Sequence, residues 1–133
     1  MRIDVLTLFP EVFDNLNSFS IIKKAIDTKK VKVNSYNLRD YAENSRKVDD
    51  YPYGGFPGMV IKIEPIYNCI ESLKKNNTYD EIIYLTPDGE LLNQKKSNYF
   101  STLNNIIIIC GHYKGIDHRV RESLVTKEIS IGD

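Results

Sequence analysis

A glycine-rich segment in the first half of the chain is the first candidate for chemistry. Residues 52–58 read PYGGFPG. Glycine lets a backbone approach a ligand closely, because it carries no Cβ. A Walker-type phosphate loop would end in Lys followed by Ser or Thr, whereas Met59 and Val60 follow here, and the spacing does not match a dinucleotide fingerprint either. Spacing alone therefore leaves two interpretations open, a ligand-binding loop or a series of tight turns.

Charged residues directly precede this segment: Arg46, Lys47, Asp49 and Asp50. Arginine and lysine can hold RNA phosphates. A carboxylate can accept hydrogen bonds from the N1–H and N2–H₂ edge of guanine. The alternative interpretation is a solvated loop with local charge pairs.

The histidines and cysteines offer weaker candidates. His112 and His118 could act as bases, but no serine or cysteine nucleophile stands at a matching motif, so we interpret both as loop residues. Cys69 and Cys110 lie far apart in apolar surroundings, without the closely spaced ligands of a zinc site. We expect both cysteines to be buried and reduced.

Composition restricts the class of protein. A chain of 133 residues suits one domain, and 18 basic against 18 acidic residues does not favour a nucleic-acid coat protein. The longest purely apolar run spans residues 106–110, far below the ~20 residues that cross a bilayer. The first residues do not resemble a signal peptide. We expect a cytoplasmic protein without a membrane partner.

Hydrophobic periodicity predicts alternating strands and helices. Strands are expected at residues 2–8, 31–38, 59–63, 81–85, 106–110 and 127–130, and helices at 10–16, 21–28, 64–75, 93–100 and 119–124. This order predicts an α/β fold, a mostly parallel sheet with helices on both faces. Ligands of such sheets bind outside the carboxyl ends of the strands. The segments that follow strands there are 85–87, 111–115 and 131–133.

Four sequence blocks carry a family resemblance. They are residues 46–59 (RKVDDYPYGGFPGM), 83–89 (IYLTPDG), 110–120 (CGHYKGIDHRV) with 130–133 (SIGD), and the opening 6–11 (LTLFPE). In order and spacing, the whole 133-residue chain resembles the bacterial tRNA (guanine-N1)-methyltransferases. The resemblance implies the α/β-knot (SPOUT) fold with a trefoil knot, a homodimer, and S-adenosylmethionine as cofactor. Because residue 133 falls inside a cofactor loop of this family, we expect the knot to be incomplete at that point.

The resemblance also implies site residues. It assigns cofactor contacts to Tyr84, Leu85 and Pro87 in a first loop, to Gly111, Tyr113 and Gly115 in a second, and to Ile131, Gly132 and Asp133 in a third. It makes Asp50, Gly55 and Gly58 candidates for positioning the target guanosine. Lys114 departs from the family pattern, in which glutamate often follows the tyrosine, and receives no role.

The implied reaction is methylation of N1 of guanosine at position 37 of tRNA, 3′ of the anticodon. The general base of the family, an aspartate, is expected beyond Asp133, as are an assisting arginine and the carboxyl-terminal domain that binds tRNA. We therefore name no catalytic residue and expect the 133 residues alone to be inactive and to bind cofactor weakly or not at all. Magnesium is compatible with the family, but no ligand cluster is visible. The alternatives are another SPOUT RNA methyltransferase, or a non-catalytic truncated dimer or RNA-binding module.

Overall fold

The structure is a computed structural model that describes residues 1–16, 20–43, 60–111 and 115–132, and the backbone alone of residues 49 and 50. The strands are β1 (Arg2–Thr7), β2 (Lys32–Asn37), β3 (Asp49–Asp50), β4 (Val60–Ile61), β5 (Glu81–Leu91), β6 (Asn105–Cys110) and β7 (Lys127–Ser130). The helices are α1 (Ser20–Asp27), α2 (Ile63–Lys74), α3 (Gln94–Ser101) and α4 (His118–Ser123), with 3₁₀ turns at Pro10–Phe13 and Leu38–Tyr41.

Five strands form one sheet in the order β2-β1-β6-β5-β7, and every neighbouring pair is parallel. The strands β3 and β4 form a separate antiparallel pair. Successive parallel strands need a crossover, and here helices supply it, for example α3 between β5 and β6. The predicted α/β fold with a mostly parallel sheet is confirmed. The trefoil knot stays a prediction.

The isoleucine run of β6 explains why helices cover both faces of the sheet. Ile107 and Ile109 are fully buried in one cluster with α2 and α4, while Ile106 and Ile108 pack with Phe100 of α3 in another. Side chains of a strand alternate between its two faces, so an uninterrupted apolar strand needs partners on both. Each of these buried side chains contributes about 1.5–3 kcal/mol of transfer free energy.

A polar network interrupts the apolar interior at the start of the sheet. The Asp4 carboxylate is fully buried and accepts hydrogen bonds from Arg2 Nε at 2.8 Å, Asn34 Nδ2 at 3.0 Å and Tyr36 Oη at 3.3 Å, and also from the Tyr79 hydroxyl. Burial alone would raise the pKa of Asp4, but the donors, with Arg2 first, outweigh it and lower that pKa. This carboxylate is therefore held ionised in the interior.

Three predicted elements differ from the structure. The strand expected at residues 59–63 is limited to Val60–Ile61 in the antiparallel ribbon, because α2 already begins at Ile63, with Pro65 tolerated in its first turn. The segment after Pro10 forms a 3₁₀ turn that ends at Phe13 instead of a helix to residue 16. The strand expected to end at Leu85 continues to Leu91, because residues 86–89 leave the ladder as a bulge and pairing with β7 resumes at Glu90. The irregular backbone that Pro87-Asp88-Gly89 predicts is present as this bulge, but the bulge lies within β5 and does not end the strand.

Two further sequence-based expectations concern the burial of the cysteines and the crossing of a membrane. Cys69 is buried as expected, whereas Cys110 at the end of β6 is only partly buried. Among the described residues, no helix has both the length and the apolar character that crossing a membrane would require.

A candidate ligand site at the carboxyl edge of the sheet

Three chain segments leave neighbouring strands at the carboxyl edge of the sheet. They are the bulge at residues 86–89 of β5, Gly111 directly after β6, and residues 131–132 directly after β7. Because β5 lies between β6 and β7, these segments are adjacent. The sheet therefore brings together the described parts of all three segments predicted to follow strands, at the edge where parallel α/β sheets bind ligands.

Tyr84 lies underneath the second of these segments. Its side chain is only 4% exposed, and a Cβ added at Gly111 would come within 3.1 Å of its hydroxyl. The corresponding distance from Gly115 is 3.4 Å, and Gly115 has a φ of +118°, in the left-handed region that favours glycine. Burial raises the pKa of the Tyr84 phenol above its ordinary value. The ring therefore lies against Gly111 and Gly115, and the residue presents almost no surface to solvent.

Gly89 closes the bulge against β7. A Cβ at this position would lie 2.7 Å from the Glu128 carbonyl carbon, 2.7 Å from the Ile129 nitrogen and 2.8 Å from the Glu128 carbonyl oxygen. All three are backbone atoms of a paired strand and cannot rotate away. Only glycine allows β5 to return to β7 here, where Leu85 and Glu90 both pair with Ile129.

Arg121 of α4 connects the bulge with β7. Its guanidinium donates to Asp88 Oδ2 at 3.0 Å and to Glu128 Oε2 and Oε1 at 2.5 and 3.1 Å. The same group lies over the Tyr84 ring, with Cζ 5.4 Å from the ring centroid. A hydrogen bond from Thr86, followed by the one from Arg121, lowers the pKa of Asp88.

The third segment has the features of an open loop. Ile131 is 70% exposed, and Gly132 has a φ of +123° with no atom within 4 Å of an added Cβ. The Ser130 hydroxyl accepts a hydrogen bond from the Gly132 N–H at 3.3 Å. The partly buried Leu85 and the exposed Pro87 lie on the neighbouring strand. The site therefore combines apolar side chains with glycine backbone, a composition typical of small-molecule pockets.

A two-stranded ribbon carries Asp50 toward this site. Asp50 pairs with Val60, and the next residue, Ile61, forms a bridge to the second loop. The Ile61 N–H donates to the Gly115 carbonyl at 3.0 Å, and the Asp117 N–H donates to the Ile61 carbonyl at 2.8 Å. The backbone that bears Asp50 is thus attached to the loop that bears Gly115.

Several predicted site residues lie outside the described part of the chain. These are Gly55, Gly58, Tyr113 and Asp133, as well as Arg46, Lys47, His112 and Lys114, and the side chain of Asp50 is not described. His118 is described and forms an exposed pair with Glu122 of its own helix, at 2.8 Å. The interpretation of His118 as a loop residue is therefore wrong, because His118 is the first residue of α4.

The sizes of the clefts do not by themselves identify the site. The larger cleft, of about 760 Å³, lies at the amino ends of β1, β2 and β6, beside Arg2 and Asn105. A smaller one, of about 400 Å³, is lined by Asp88, Arg121 and Glu128. We give more weight to the carboxyl edge, since adjacent loops, glycine backbone and exposed apolar groups coincide there. Within the described ranges, no three histidine, cysteine or acidic side chains cluster as metal ligands do.

Sequence reasoning missed four functional candidates: Asp88, Gly89, Arg121 and Glu128. The Asp-Gly pair was a visible signal, but it indicates only a turn. Nothing local to the sequence of α4 indicates that Arg121 reaches two strands, because its partners are 33 and 7 residues away.

Comparison with known proteins gives consistent results. The family model for tRNA (Guanine-1)-methyltransferase TrmD matches residues 1–133. The chain is 58% identical to the tRNA (guanine-N(1)-)-methyltransferase of Flavobacterium psychrophilum and 55% identical to that of Bacteroides fragilis, in each case over 100% of this chain and 60% of the relative. The crystal structure of tRNA (m1G37) methyltransferase from Aquifex aeolicus superposes with a TM-score of 0.91 at 44% identity, covering 100% of this chain and 60% of that one. The chain thus spans about three fifths of the length of these relatives, and it belongs to the tRNA (guanine-1)-methyltransferase family.

Proposed function

We propose that this chain forms the S-adenosylmethionine-binding part of an enzyme that methylates N1 of guanosine 37 in tRNA. The observation that carries the proposal is the convergence of three loops at one sheet edge in a chain of this family. The same positions were expected from sequence to bind the cofactor, and the described ones among them are adjacent.

The residues at this edge fit such a cofactor. Leu85, Pro87 and Ile131 offer apolar surface for an adenosine. The backbone of Gly111 and Gly132 is accessible for hydrogen bonds to the polar edge of the base. When bound, S-adenosylmethionine supplies a methyl group activated by a positively charged sulfur. The contribution of Tyr84 in this proposal is to hold the second loop in shape from below.

The protein must also remove the proton that N1 of guanine carries at neutral pH, so a positioned base is required. The described carboxylates near the loops are already engaged. Asp88 and Glu128 share Arg121, and Asp117 binds Arg119 at 2.7 Å, an interaction that lowers the pKa of Asp117. We therefore assign no general base among the described residues and propose for Asp50 a role in positioning the guanine.

We further propose that the enzyme acts as a cytoplasmic homodimer on tRNA. Exposed apolar side chains support a protein partner, notably Ile21 at 84% and Val12 and Leu91 at 66%. A second copy of the chain is the partner that the family resemblance implies. No metal site is part of the proposal.

The test uses the complete protein that contains this chain. It is incubated with S-adenosylmethionine carrying a labelled methyl group and with two tRNA transcripts that differ only in guanosine or adenosine at position 37. We expect label in the guanosine transcript alone, and 1-methylguanosine after nuclease digestion and mass spectrometry. Methylation of a different base would identify another RNA methyltransferase of this fold. Binding of tRNA without any transfer would identify a non-catalytic module.

A further inference from the structure

The side chain of Arg121, on α4, attaches the bulge of β5 to the strand beside it. The guanidinium reaches Asp88 at the tip of the bulge and Glu128 on β7, and it covers one face of Tyr84. Glu128 is also the residue whose backbone meets Gly89. Arg121 therefore contacts the bulge, the strand that borders it, and the tyrosine beneath the second loop.

We propose that Arg121 is a positioning residue that holds the bulge at residues 86–89 in its ligand-binding shape and thereby sets the affinity for the cofactor. The inference rests on the proposed function for the identity of that cofactor. The mechanical role of Arg121, which is to keep the bulge ordered, does not depend on the proposed function.

The charges around Arg121 support this role. Without the guanidinium, the carboxylates of Asp88 and Glu128 would lose the cation with which both of them pair. Like charges at short range repel, and the exposed Asp88 would move first because its own strand segment is unpaired. Since Asp88 also accepts a hydrogen bond from Thr86, its displacement would change the bulge on both sides of Pro87.

The location of Arg121 outside the hydrophobic core indicates that its role is to hold the bulge and not to support the core. Its neighbour Val120 is fully buried and anchors α4, whereas the Arg121 side chain is 25% exposed and lies outside the apolar clusters. Partly exposed ion pairs contribute little to global stability. A change at Arg121 is thus expected to act on the bulge more than on folding.

The experiment uses the complete protein, four single variants, and the double variant that combines Arg121→Met with Asp88→Asn. Arg121→Met removes the guanidinium and keeps the apolar stem, Arg121→Lys keeps the charge without the planar fork, and Asp88→Asn removes the partner charge. Lys23→Met, which breaks an exposed pair on α1, is the matched control. The readouts are cofactor Kd by titration calorimetry, KM and kcat, the melting temperature, and hydrogen exchange of the peptide that covers residues 84–92.

We expect Arg121→Met to weaken cofactor binding about tenfold, as for the loss of one partly exposed charge-assisted interaction. KM for the cofactor should rise with little change in kcat, and exchange of residues 84–92 should accelerate. Arg121→Lys should restore part of the affinity, and combining Arg121→Met with Asp88→Asn should cost little beyond Arg121→Met alone. The control should match the unchanged protein.

Unchanged exchange of residues 84–92 in Arg121→Met would overturn the inference, whether or not the protein binds this cofactor. Faster exchange with an unchanged cofactor Kd would overturn the second part of the inference, that Arg121 sets the affinity for the cofactor. If Arg121→Met does not fold, Asp88→Asn decides, because that exposed substitution leaves the core intact, and normal exchange and affinity in it would refute the role. Absence of cofactor binding by the unchanged protein would instead count against the proposed function.

Discussion

Replacing Gly89 with alanine is expected to break the return of β5 to its partner strand. The new methyl group would lie 2.7–2.8 Å from three backbone atoms of Glu128 and Ile129, where carbon contacts normally lie at about 3.5–4.0 Å. Overpacking of this kind costs about 1–3 kcal/mol, and we take the upper end because backbone atoms in a paired strand cannot rotate away. The smaller conformational freedom of unfolded alanine offsets about 0.4–1 kcal/mol. The net expectation is a loss of about 2 kcal/mol, or about 30-fold in the folding equilibrium.

Two measurements on the complete protein check this expectation. Urea unfolding gives the change in midpoint, and hydrogen exchange reports on amides beyond the bulge, such as the Leu92 N–H that donates to the Ser130 carbonyl at 2.8 Å. Gly132→Ala is the matched control. It introduces strain at a positive φ but no clash, so it should leave exchange in β5 unchanged. If Gly89→Ala unfolds and exchanges like the unchanged protein, the argument from backbone contact is wrong.

Three further predictions concern other parts of the molecule. Asp4→Asn should cost about 2 kcal/mol at neutral pH, less than the ~3–5 of a fully buried pair because Arg2 is partly exposed. Since folding lowers the pKa of Asp4, its contribution is fully present above the unfolded value of about 4 and is lost as pH falls further, so the variant should show a weaker acid dependence in urea titrations. Burial raises the pKa of Cys110 to about 11 and that of Cys69 to about 12, so about 0.1% or less of each thiol is ionised at pH 8; mass spectrometry should find both nearly unlabelled by iodoacetamide before unfolding and labelled after it. Asp80→Ala should cost about 1 kcal/mol in urea unfolding, because the carboxylate accepts from the Asn104 and Asn105 N–H groups at the start of β6, and a change within error would refute this role.

Much of the fold could be predicted because its signals are local. The apolar run at residues 106–110 predicted a strand covered on both faces, and the structure adds only Asn105 to it. The strand predicted at residues 127–130 has the same bounds in the structure. The first of these strands is a run of β-branched residues between turn signals, which is a local signal, so no distant contact was needed to identify it.

The continuation of β5 depends on contacts that the local sequence does not contain. Pro87-Asp88-Gly89 has the composition of a turn between two elements. Whether the chain leaves the sheet after that turn or returns to it depends on β7, which lies about 40 residues further on and offers Ile129 twice as a partner. A similar separation, 33 residues, lies between Arg121 and its partner Asp88.

The position of the candidate site in the fold could be predicted from the sequence, whereas the contacts that build the site could be predicted only in part. The predicted order of strands and helices put Leu85, Gly111 and Ile131 at the ends of strands, and the structure places them at one edge of the sheet. Their role as cofactor contacts stays a prediction from the resemblance. The buried direction of the Tyr84 side chain could have been inferred, since it alternates with Leu85 and shares a face with the buried Ile82. The role of Ile61 as the attachment of the ribbon could not, because it follows from backbone hydrogen bonds to a loop more than 50 residues away.

The interior position of β1 in the sheet, between β2 and β6, has a consequence for synthesis on the ribosome. The first strand made pairs with β2 on one side and with β6 on the other, and its register with β6 joins Arg2 to Asn105. At about 5–20 residues per second, the second partner is translated about 5–20 s after the first strand. During that interval β1 has one open edge, and Leu6 lacks the β6 residue with which it later pairs, Ile109. We expect this stretch of the nascent chain to be a binding site for ribosome-associated chaperones until β6 has been translated.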